Sequence, residues 1–452
     1  MVFAILLNEQ YTVFQTNPST SVQANLAVEY EKDMFSKITK TDIPQLWKHP
    51  NVKGLDCAAM FKGDTDHIKE NSVKRRTLGQ LPYYFPMSCE DIRSRGFYPK
   101  EPLSKIEADF PFAYIRNVYR DYLSIELSFL ISYAPQNYYC FSIDKKSDAG
   151  FQSRMFALAN CFPNVFLITG EFEVNSAGKN TNLAAYKCMQ KLDGKNYKYL
   201  FTLQNDDISL KTNRELVEII SLYNGGVDIQ FEDPTKYIKE RVNMSYNWNH
   251  SNFNFFNKNH SKSEFVLFDN SIVFQKVSTG MTLPKSTVDY ILHAINITKF
   301  LDAVNTDEYG VDEMAWGTLL TDSTLNIPGM IDRSYVKNNY KLLRNNFMTR
   351  YTEWVSEDSE CVTGIVRHTV CIYGCEHLQS MKTWPHFFGN KFKASSDFGA
   401  LTCWSEYIYN KMYLQNYNGI NKTFYEDLAI VKYNNRNRHT SRSKGKLDNY
   451  IN

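Results

Sequence analysis

The chain has 452 residues, of which 43% are hydrophobic and 15% aromatic, so it can bury a sizeable core and is not a disordered protein. Lys and Arg number 51 and Asp and Glu 49, which leaves a formal net charge of +2. This balance excludes a global positive field that would favour nucleic acid or an anionic membrane. The composition predicts a globular protein of one large or two ordinary domains, whose ligands depend on local sites.

The N-terminal region, residues 1–105, is polar and lacks sustained periodicity. This pattern predicts an extended, stem-like segment that packs against the core. Its first residues, MVFAILL, are too short to span a bilayer and marginal as the core of a signal peptide. Two interpretations stay open: export on a poor signal, or an anchor of which this chain holds only part.

From Phe110 onward, short apolar runs alternate with segments whose apolar residues recur at helical spacing. In chain order these predict strand PFAYIRNVY, helix YLSIELSFLISY, strand YYCFSID, helix SRMFALANCF, strand NVFLITG, helix NLAAYKCMQKL and strand YKYLFTL. Such alternation indicates βαβ units and a largely parallel sheet covered on both faces, an α/β fold. We expect this α/β domain to span residues 106–430.

Two adjacent carboxylates, Asp206 and Asp207, follow the last of these strands, where many sugar-nucleotide enzymes hold a divalent metal. Downstream, Thr212 and Glu215 predict a capping box at the start of a helix. Helix initiation explains the polarity of the turn, but it does not explain the two acids.

The remaining segments are less regular. FVLFDNSIVFQKV predicts a hairpin, and STVDYILHAINITKFLDAV predicts one long helix. Residues 431–452 are basic and poor in apolar side chains, which predicts a disordered tail. Because no Phe, Trp or Tyr is interleaved with the basic residues between positions 436 and 446, a solvated tail is favoured over a nucleic-acid-binding one.

Nine cysteines lie along the chain without a CxxC pair, which argues against a zinc finger or a thioredoxin motif. Their odd number is typical of a disulfide framework with one thiol left over, although reduced thiols of a cytosolic protein would give the same count. Together with the cysteines, five N-x-S/T triplets favour a lumenal or extracellular location. The triplets begin at Asn243, Asn249, Asn259, Asn296 and Asn421.

Seven blocks occur in order between about residues 85 and 410: FPFAYIRNVYRD, APQNYYCFSIDKKS, NCFPNVFLI, YKYLFTLQNDDISLKTN, DEMAWGTLL, VRHTVCIYG and FFGNKF. They resemble the core-2/I-branching β1,6-N-acetylglucosaminyltransferase family, whose relatives include the peptide O-xylosyltransferases. The resemblance implies a GT-A-type fold, in agreement with the α/β pattern. It also implies metal-independent, inverting transfer of N-acetylglucosamine from UDP-GlcNAc to a hydroxyl, expected to be the 6-hydroxyl, of an O-glycan core.

The resemblance implies a base and two cations. Glu313, in the DE-x-x-W block, matches the family's glutamate, and partial desolvation beside Met314 and Trp316 would make it a better base. From the residues alone, favourable acid placement in a first helical turn is the preferred explanation of Glu313, and the block match reverses that preference. Arg367 and Lys391 match cations that contact the diphosphate, and they supply positive charge without a metal or cofactor.

Further site residues follow from the same resemblance. Asp207 is expected near the donor pocket, whereas Asp206 replaces an uncharged residue and is interpreted as incidental. The nucleoside is expected at Asp144, Asn117, Val118 and Tyr119. An acceptor glycoprotein glycan is expected, in shifted register, at Lys239, Arg241, Tyr351 and Trp354, with Asp228 or Glu232 as the accompanying acid.

The resemblance also implies four disulfides and a location. The pairs are Cys57–Cys403, Cys89–Cys161, Cys140–Cys188 and Cys361–Cys371, which leaves Cys375 free. The protein is expected in the Golgi lumen as a type II membrane protein, with secretion as the alternative.

Competing functions stay open. Within the same family, the donor could be UDP-xylose or another UDP-sugar. A catalytically inactive glycan-binding relative is the second alternative, against which the intact Glu313, Arg367 and Lys391 argue. A cytosolic nucleotide-binding protein is disfavoured because neither GxGxxG nor GxxxxGK[ST] occurs.

Overall fold

The computed structural model of the chain describes residues 40–256, 270–356 and 359–436. The apolar start of the chain, the triplet at Asn259 and residues 437–452 of the expected tail lie outside the described residues. Within the described residues, no helix is long and apolar enough to cross a membrane.

A six-stranded sheet with strand order β3-β2-β1-β4-β7-β6 is the centre of the fold. Its first four strands are parallel, while β7 runs antiparallel to β4 and to β6. Two small sheets, β5-β11-β8 and β10-β9, lie beside it. The strands are β1 Phe112–Val118, β2 Tyr138–Ile143, β3 Val165–Ile168, β4 Tyr199–Leu203, β5 Asp207–Ser209, β6 Asp228–Phe231, β7 Val277–Pro284, β8 Arg350–Thr352, β9 Val366–Arg367, β10 Val370–Cys371 and β11 Phe388–Asn390.

The helices cover this sheet. All five residues of β4 are buried, so alternate side chains pack on both faces, as continuous apolar strands require. The helices are α1 Cys57–Lys62, α2 Thr65–Val73, α3 Cys89–Ser94, α4 Lys105–Ala108, α5 Tyr122–Leu130, α6 Ala149–Cys161, α7 Thr181–Lys191, α8 Asn213–Ser221, α9 Ile238–Arg241, α10 Lys285–His293, α11 Thr298–Val304, α12 Ala315–Leu320, α13 Arg333–Asn345, α14 Leu378–Met381, α15 Ala394–Tyr413 and α16 Lys422–Glu426. The predicted α/β class, and each strand and helix predicted between residues 110 and 204, are confirmed.

The predicted capping box begins α8. The Thr212 hydroxyl accepts the N–H of Glu215 at 3.3 Å, and the Glu215 carboxylate accepts the N–H of Thr212 at 2.9 Å. Two free N–H groups at the helix start are thereby satisfied, so the polarity of this turn has a local structural cause.

The predicted long helix over residues 286–304 is wrong, because it is two helices, α10 and α11. Between them, the N–H of Asn296 donates to the carbonyl of Phe255 at 2.6 Å, and its side chain accepts the N–H of Thr298 at 3.0 Å. An asparagine that takes backbone partners in this way competes with helix continuation.

The predicted hairpin over residues 265–277 is not formed by its described part. Residues 270–276 contain an isolated bridge from Ser271 to Asn249, and Val277 begins β7 of the central sheet. Ile272 and Phe274 are buried in the core. These apolar side chains pack inward instead of pairing with each other.

Both ends of the described chain are folded onto the domain. Residues 40–105 carry short helices, and Leu46, Val52 and Met60 are buried in the common core, so this region packs as predicted but is not extended. At the other end, residues 429–436 are helical and Val431 is buried. The predicted disorder therefore does not hold for residues 431–436.

Four disulfides stabilise the fold. Cys57 of α1 pairs with Cys403 of α15, and Cys140 of β2 with Cys188 of α7. Cys89–Cys161 and Cys361–Cys371 complete the set, and Cys375 is a buried free thiol. The predicted pairing is confirmed. Disulfides of this number are typical of proteins that fold in an oxidising compartment.

Four of the glycosylation triplets lie in described residues. Asn243, Asn296 and Asn421 are exposed, whereas Asn249 is half-buried and accepts a hydrogen bond from Ser271 at 2.9 Å. Glycosylation at these positions stays a prediction.

Candidate active site

A cleft of about 530 Å³ lies at the carboxyl ends of the central parallel strands. It is lined by Asn117 and Val118 at the end of β1, Asp144 after β2, and Gln204 after β4. Ligands of open α/β sheets bind at this edge, because side chains from neighbouring strand ends converge there.

The expected nucleoside-binding residues share one end of this cleft. Asp144 is buried, its N–H donates to the Val118 carbonyl at 2.9 Å, and its carboxylate accepts the N–H of Lys146 at 2.8 Å. The N–H of Tyr119 donates to the side chain of Asn205 at 2.9 Å. The structure therefore brings the expected group together, and its contact with a nucleoside stays a prediction.

Glu313 lines the same cleft, at the end of a short turn, Val311–Glu313, that leads into α12. One carboxylate oxygen, Oε2, contacts Arg241 Nη1 and lies 3.2 Å from Lys276 Nζ. The other oxygen, Oε1, has no hydrogen-bond partner among the described residues. The carboxylate is therefore held through one oxygen and presents the other to the cleft.

The surroundings of this carboxylate differ from those expected. Met314 and Trp316 are fully buried in the core. The neighbours of the carboxylate are instead two cations: Arg241, the last residue of α9, and Lys276, the residue just before β7. Sequence spacing carries no signal for either contact.

Asp312 lies beneath Glu313 and is 8% exposed. Burial, and secondarily the Glu313 carboxylate, raise the pKa of Asp312 to about 7. Gly178 packs directly on it with φ +100°, where a Cβ would lie 2.2 Å from Asp312 Oδ1. The cleft floor thus contains a carboxyl group that titrates near neutral pH, beside a carboxylate that is ion-paired.

We predict a pH-dependent stability change for Asp312→Asn. A carboxyl whose folded pKa lies above its usual value stabilises the fold most below pH 4, and that stability is lost as pH rises through about 7. Between pH 5 and pH 8, the free energy of unfolding of the wild type should therefore fall, relative to the variant, by on the order of 2 kcal/mol. Urea denaturation at both pH values measures this change.

The matched control is Asp302→Asn, at an exposed helical position. Its stability difference from the wild type should be the same at both pH values. An equally constant difference for Asp312→Asn would contradict the raised pKa.

Arg367 reaches the cleft from the hairpin formed by β9 and β10. The two residues at its tip, His368 and Thr369, have φ of 51° and 60°, the conformation of a tight two-residue turn. The Cys361–Cys371 disulfide closes the base of this loop. A short cross-linked loop thereby fixes where the exposed guanidinium stands.

Lys391 and Lys393 enter the cleft from the segment after β11. Burial lowers the pKa of Lys391, and the Asp206 carboxylate opposes this effect. Arg367 and Lys391, which the sequence placed in separate blocks, line one cleft. Lys393 was missed, although its position two residues after Lys391 was a usable signal.

The two adjacent carboxylates differ in their access to the cleft. Asp207 is 2% exposed and does not line the cleft; it accepts hydrogen bonds from Asn390 Nδ2 and from the N–H of Gln204, both at 2.7 Å. Asp206 lines the cleft and lies 3.6 Å from Lys393 Nζ and 3.5 Å from an Arg120 nitrogen. Asp207 is therefore next to the cleft, bonded to two residues that line it, and its part in donor binding stays a prediction.

The expected acceptor residues divide into two groups. Arg241 and Trp354 line the cleft, and so does Glu232, which pairs with Arg344 at 3.1 Å. The other expected residues, Lys239, Tyr351 and Asp228, do not line it.

The acceptor residues outside the cleft have other surroundings. Lys239 is exposed, and the Tyr351 ring packs 4.4 Å from that of Trp384. Asp228 is buried and accepts the hydroxyl of Thr349 at 2.7 Å. These three side chains therefore lie outside the cleft that Arg241, Trp354 and Glu232 line, and acceptor binding by any of the six stays a prediction.

Comparison with known proteins is informative about the family. The sequence profile of the Core-2/I-Branching enzyme family matches residues 112–382, more than half of the chain. The chain belongs to the core-2/I-branching enzyme family. This branching enzyme is accordingly a glycosyltransferase, and its sheet and cleft agree with the GT-A-type fold expected for the family.

Curated relatives align with most of this branching enzyme. It is 28% identical over 388 residues to a β-1,3-galactosyl-O-glycosyl-glycoprotein β-1,6-N-acetylglucosaminyltransferase of Bos taurus, covering 81% of this chain and 88% of the relative. It is 25% identical over 381 residues to enzyme 3 of that name from Homo sapiens, covering 80% and 84%. A solved structure of a putative glucose-1-phosphate thymidylyltransferase from Bacillus anthracis gives a TM-score of 0.22 at 11% identity, covering 43% of this chain and 81% of that one, which is too low to inform the fold.

Proposed function

We propose that this glycosyltransferase moves N-acetylglucosamine from UDP-GlcNAc to the 6-hydroxyl of an O-glycan core, with inversion and without a metal ion. The observation that carries the proposal is the shared cleft: Glu313, with one oxygen held and one open, lines it together with Arg367 and Lys391. The printed activity of the curated relatives supports the choice of sugar and linkage.

The chemistry assigns one role to each group. Glu313 Oε1 accepts the proton of the acceptor hydroxyl while that oxygen attacks the anomeric carbon. The new carbon–oxygen bond forms opposite the bond to the β-phosphate oxygen, which breaks, so the anomeric configuration inverts. Arg367 and Lys391 stabilise the charge that grows on the departing diphosphate. Arg241 and Lys276 keep Glu313 in place.

Metal independence is supported by the partners of the two carboxylates that suggested a metal. Asp207 accepts hydrogen bonds from Asn390 and the backbone of Gln204 and lies 3.7 Å from Arg350, whereas Asp206 faces Lys393 and Arg120. Because the two carboxylates have separate sets of partners, they do not form a common ligand pair.

We predict that excess EDTA leaves the transfer rate within about twofold of the untreated rate, since protein cations take the part of a metal. A metal-dependent glycosyltransferase in the same buffer is the control. Complete loss of activity that added Mn²⁺ restores would refute the metal-free mechanism.

Donor and acceptor are tested together. The enzyme is incubated with UDP-GlcNAc, UDP-xylose and other UDP-sugars, each with a β1,3-galactosyl-N-acetylgalactosaminide acceptor and with a serine-containing peptide. A product β1,6-linked by NMR supports the proposal. Xylose on the peptide would establish the family's other chemistry, and glycan binding without transfer or UDP-sugar hydrolysis would establish an inactive relative.

The proposed location is the Golgi lumen, with a type II anchor. The four disulfides support an oxidising compartment of the secretory pathway. Immunofluorescence of the tagged chain against a Golgi marker tests the location, and a cytosolic distribution would contradict it.

A further inference from the structure

Two lysines stand side by side on the segment that follows β11. Lys391 and Lys393 flank Phe392, which is 3% exposed and packs edge-on against Tyr373 at 5.5 Å. The N–H of Phe392 donates to the carbonyl of Asp206 at 3.2 Å, which holds this stretch beside Asp206. Both lysines line the cleft.

Lys393 is the more enclosed of the surrounding cations. Its side chain is 7% exposed, against 25% for that of Arg120. Its nearest counter-ion is Asp206, at 3.6 Å, which is beyond hydrogen-bond distance and is shared with Arg120 at 3.5 Å. Arg120 also lies 3.5 Å from Asp121. Lys393 is therefore a buried cation whose nearest carboxylate in the described part of the chain is divided between two partners.

The local charges do not balance. Four cations, Arg120, Arg367, Lys391 and Lys393, face two carboxylates, Asp121 and Asp206. Arg350 lies 3.7 Å from Asp207, and the buried Arg116 is attracted to both Asp207 and Asp206. Among the described residues, at least two positive charges therefore remain without a carboxylate partner, which is costly for the buried lysines. The diphosphate of a nucleotide sugar carries about two negative charges and gains more as it departs.

We infer that Lys393 is a third cation for the diphosphate, and that Asp206 is a resident anion which holds Lys393 in place until the donor arrives. This inference rests on the proposed function, since it requires a nucleoside diphosphate in the cleft. On donor binding, the Lys393 ammonium leaves the long contact with Asp206 and donates to a phosphate oxygen. Arg120 remains beside Asp206 and keeps that carboxylate paired.

The electrostatics of the lysines support this assignment. Burial lowers the pKa of both Lys391 and Lys393, and in each case the nearby Asp206 carboxylate opposes the effect while Arg367 adds to it. Both ammonium groups are therefore short of negative charge in the free protein. A bound diphosphate supplies that charge.

The experiment compares the affinities for UDP and for uridine, measured by calorimetry. Lys393→Gln should weaken UDP binding by about tenfold or more, as expected for a lost charge-assisted hydrogen bond, and leave uridine binding unchanged. Lys393→Arg should restore most of the loss. Asp206→Asn removes the competing anion, so it should tighten UDP binding several-fold, again without effect on uridine.

The control is Lys337→Gln on an exposed face of α13, which should bind UDP as the wild type does. Thermal unfolding checks that each variant is folded.

Wild-type affinity of Lys393→Gln for UDP would overturn the inference. Equal weakening of UDP and uridine binding would also overturn it, because it would indicate a distorted pocket. Weaker UDP binding by Asp206→Asn would overturn the role given to Asp206. A wild type that does not bind UDP would refute the proposed function as well, which separates the two failures.

Discussion

Glu313→Gln should lower kcat by about 10²–10⁴-fold while the affinity for the UDP-sugar stays within about twofold. Glutamine keeps the shape of the side chain but cannot accept the proton of the acceptor hydroxyl. The cations for the diphosphate come from other segments, the end of β9 and the residue after β11, so donor binding should persist. Single-turnover kinetics and calorimetry with UDP-sugar separate the two quantities.

Two further variants sharpen this test. Glu313→Asp keeps the charge, but the shorter side chain cannot hold both Arg241 and Lys276 and still reach the hydroxyl, so its kcat should also fall. Glu308→Gln, at an exposed position five residues earlier, is the matched control and should retain wild-type kcat. If Glu313→Gln keeps more than about a tenth of wild-type kcat, the base is another group.

Lys391→Gln should lower kcat/KM by about 10²–10³-fold, the range seen when one preorganised donor to a developing anion is removed. The side chain lines the cleft and is partly buried, so bulk water does not replace its charge. A charge that strengthens its contact as the diphosphate departs acts on kcat as well as on KM. Steady-state kinetics with varied donor concentration measure both.

Lys391→Arg is the charge-conserving variant and should recover part of the loss, because a guanidinium does not match the position of an ammonium. Lys337→Gln again serves as the surface control. A rise in KM alone, with kcat unchanged, would mean that Lys391 binds the donor equally in the ground state and the transition state.

Much of the fold was predictable because it depends on local patterns. Each strand and helix between residues 110 and 204 follows from apolar runs and helical spacing, patterns that are set by residues close together in the sequence. The capping box at Thr212 is local as well. The break between α10 and α11 was not predictable, because Asn296 takes its backbone partner from Phe255, about forty residues earlier.

In the candidate site, too, local sequence predicted some features and tertiary contacts decided the others. Glu313, Arg367 and Lys391 could be named from blocks of the sequence, since each block is short and specific, and the structure places all three in one cleft. The neighbours of these three side chains could not be predicted from the sequence. Lys276, just before β7, contacts Glu313 only because the tertiary fold brings the two segments together.

By itself, the sequence determined the α/β class through its periodicity and the family through its ordered blocks, and the resemblance to that family implied the disulfide pairs and the types of residue in the cleft. Only the tertiary structure decided which of two adjacent carboxylates faces the cleft. Successive side chains at a strand end point in opposite directions. The pairing of β5 with β11 turns Asp207 toward Asn390 and leaves Asp206 beside Lys393.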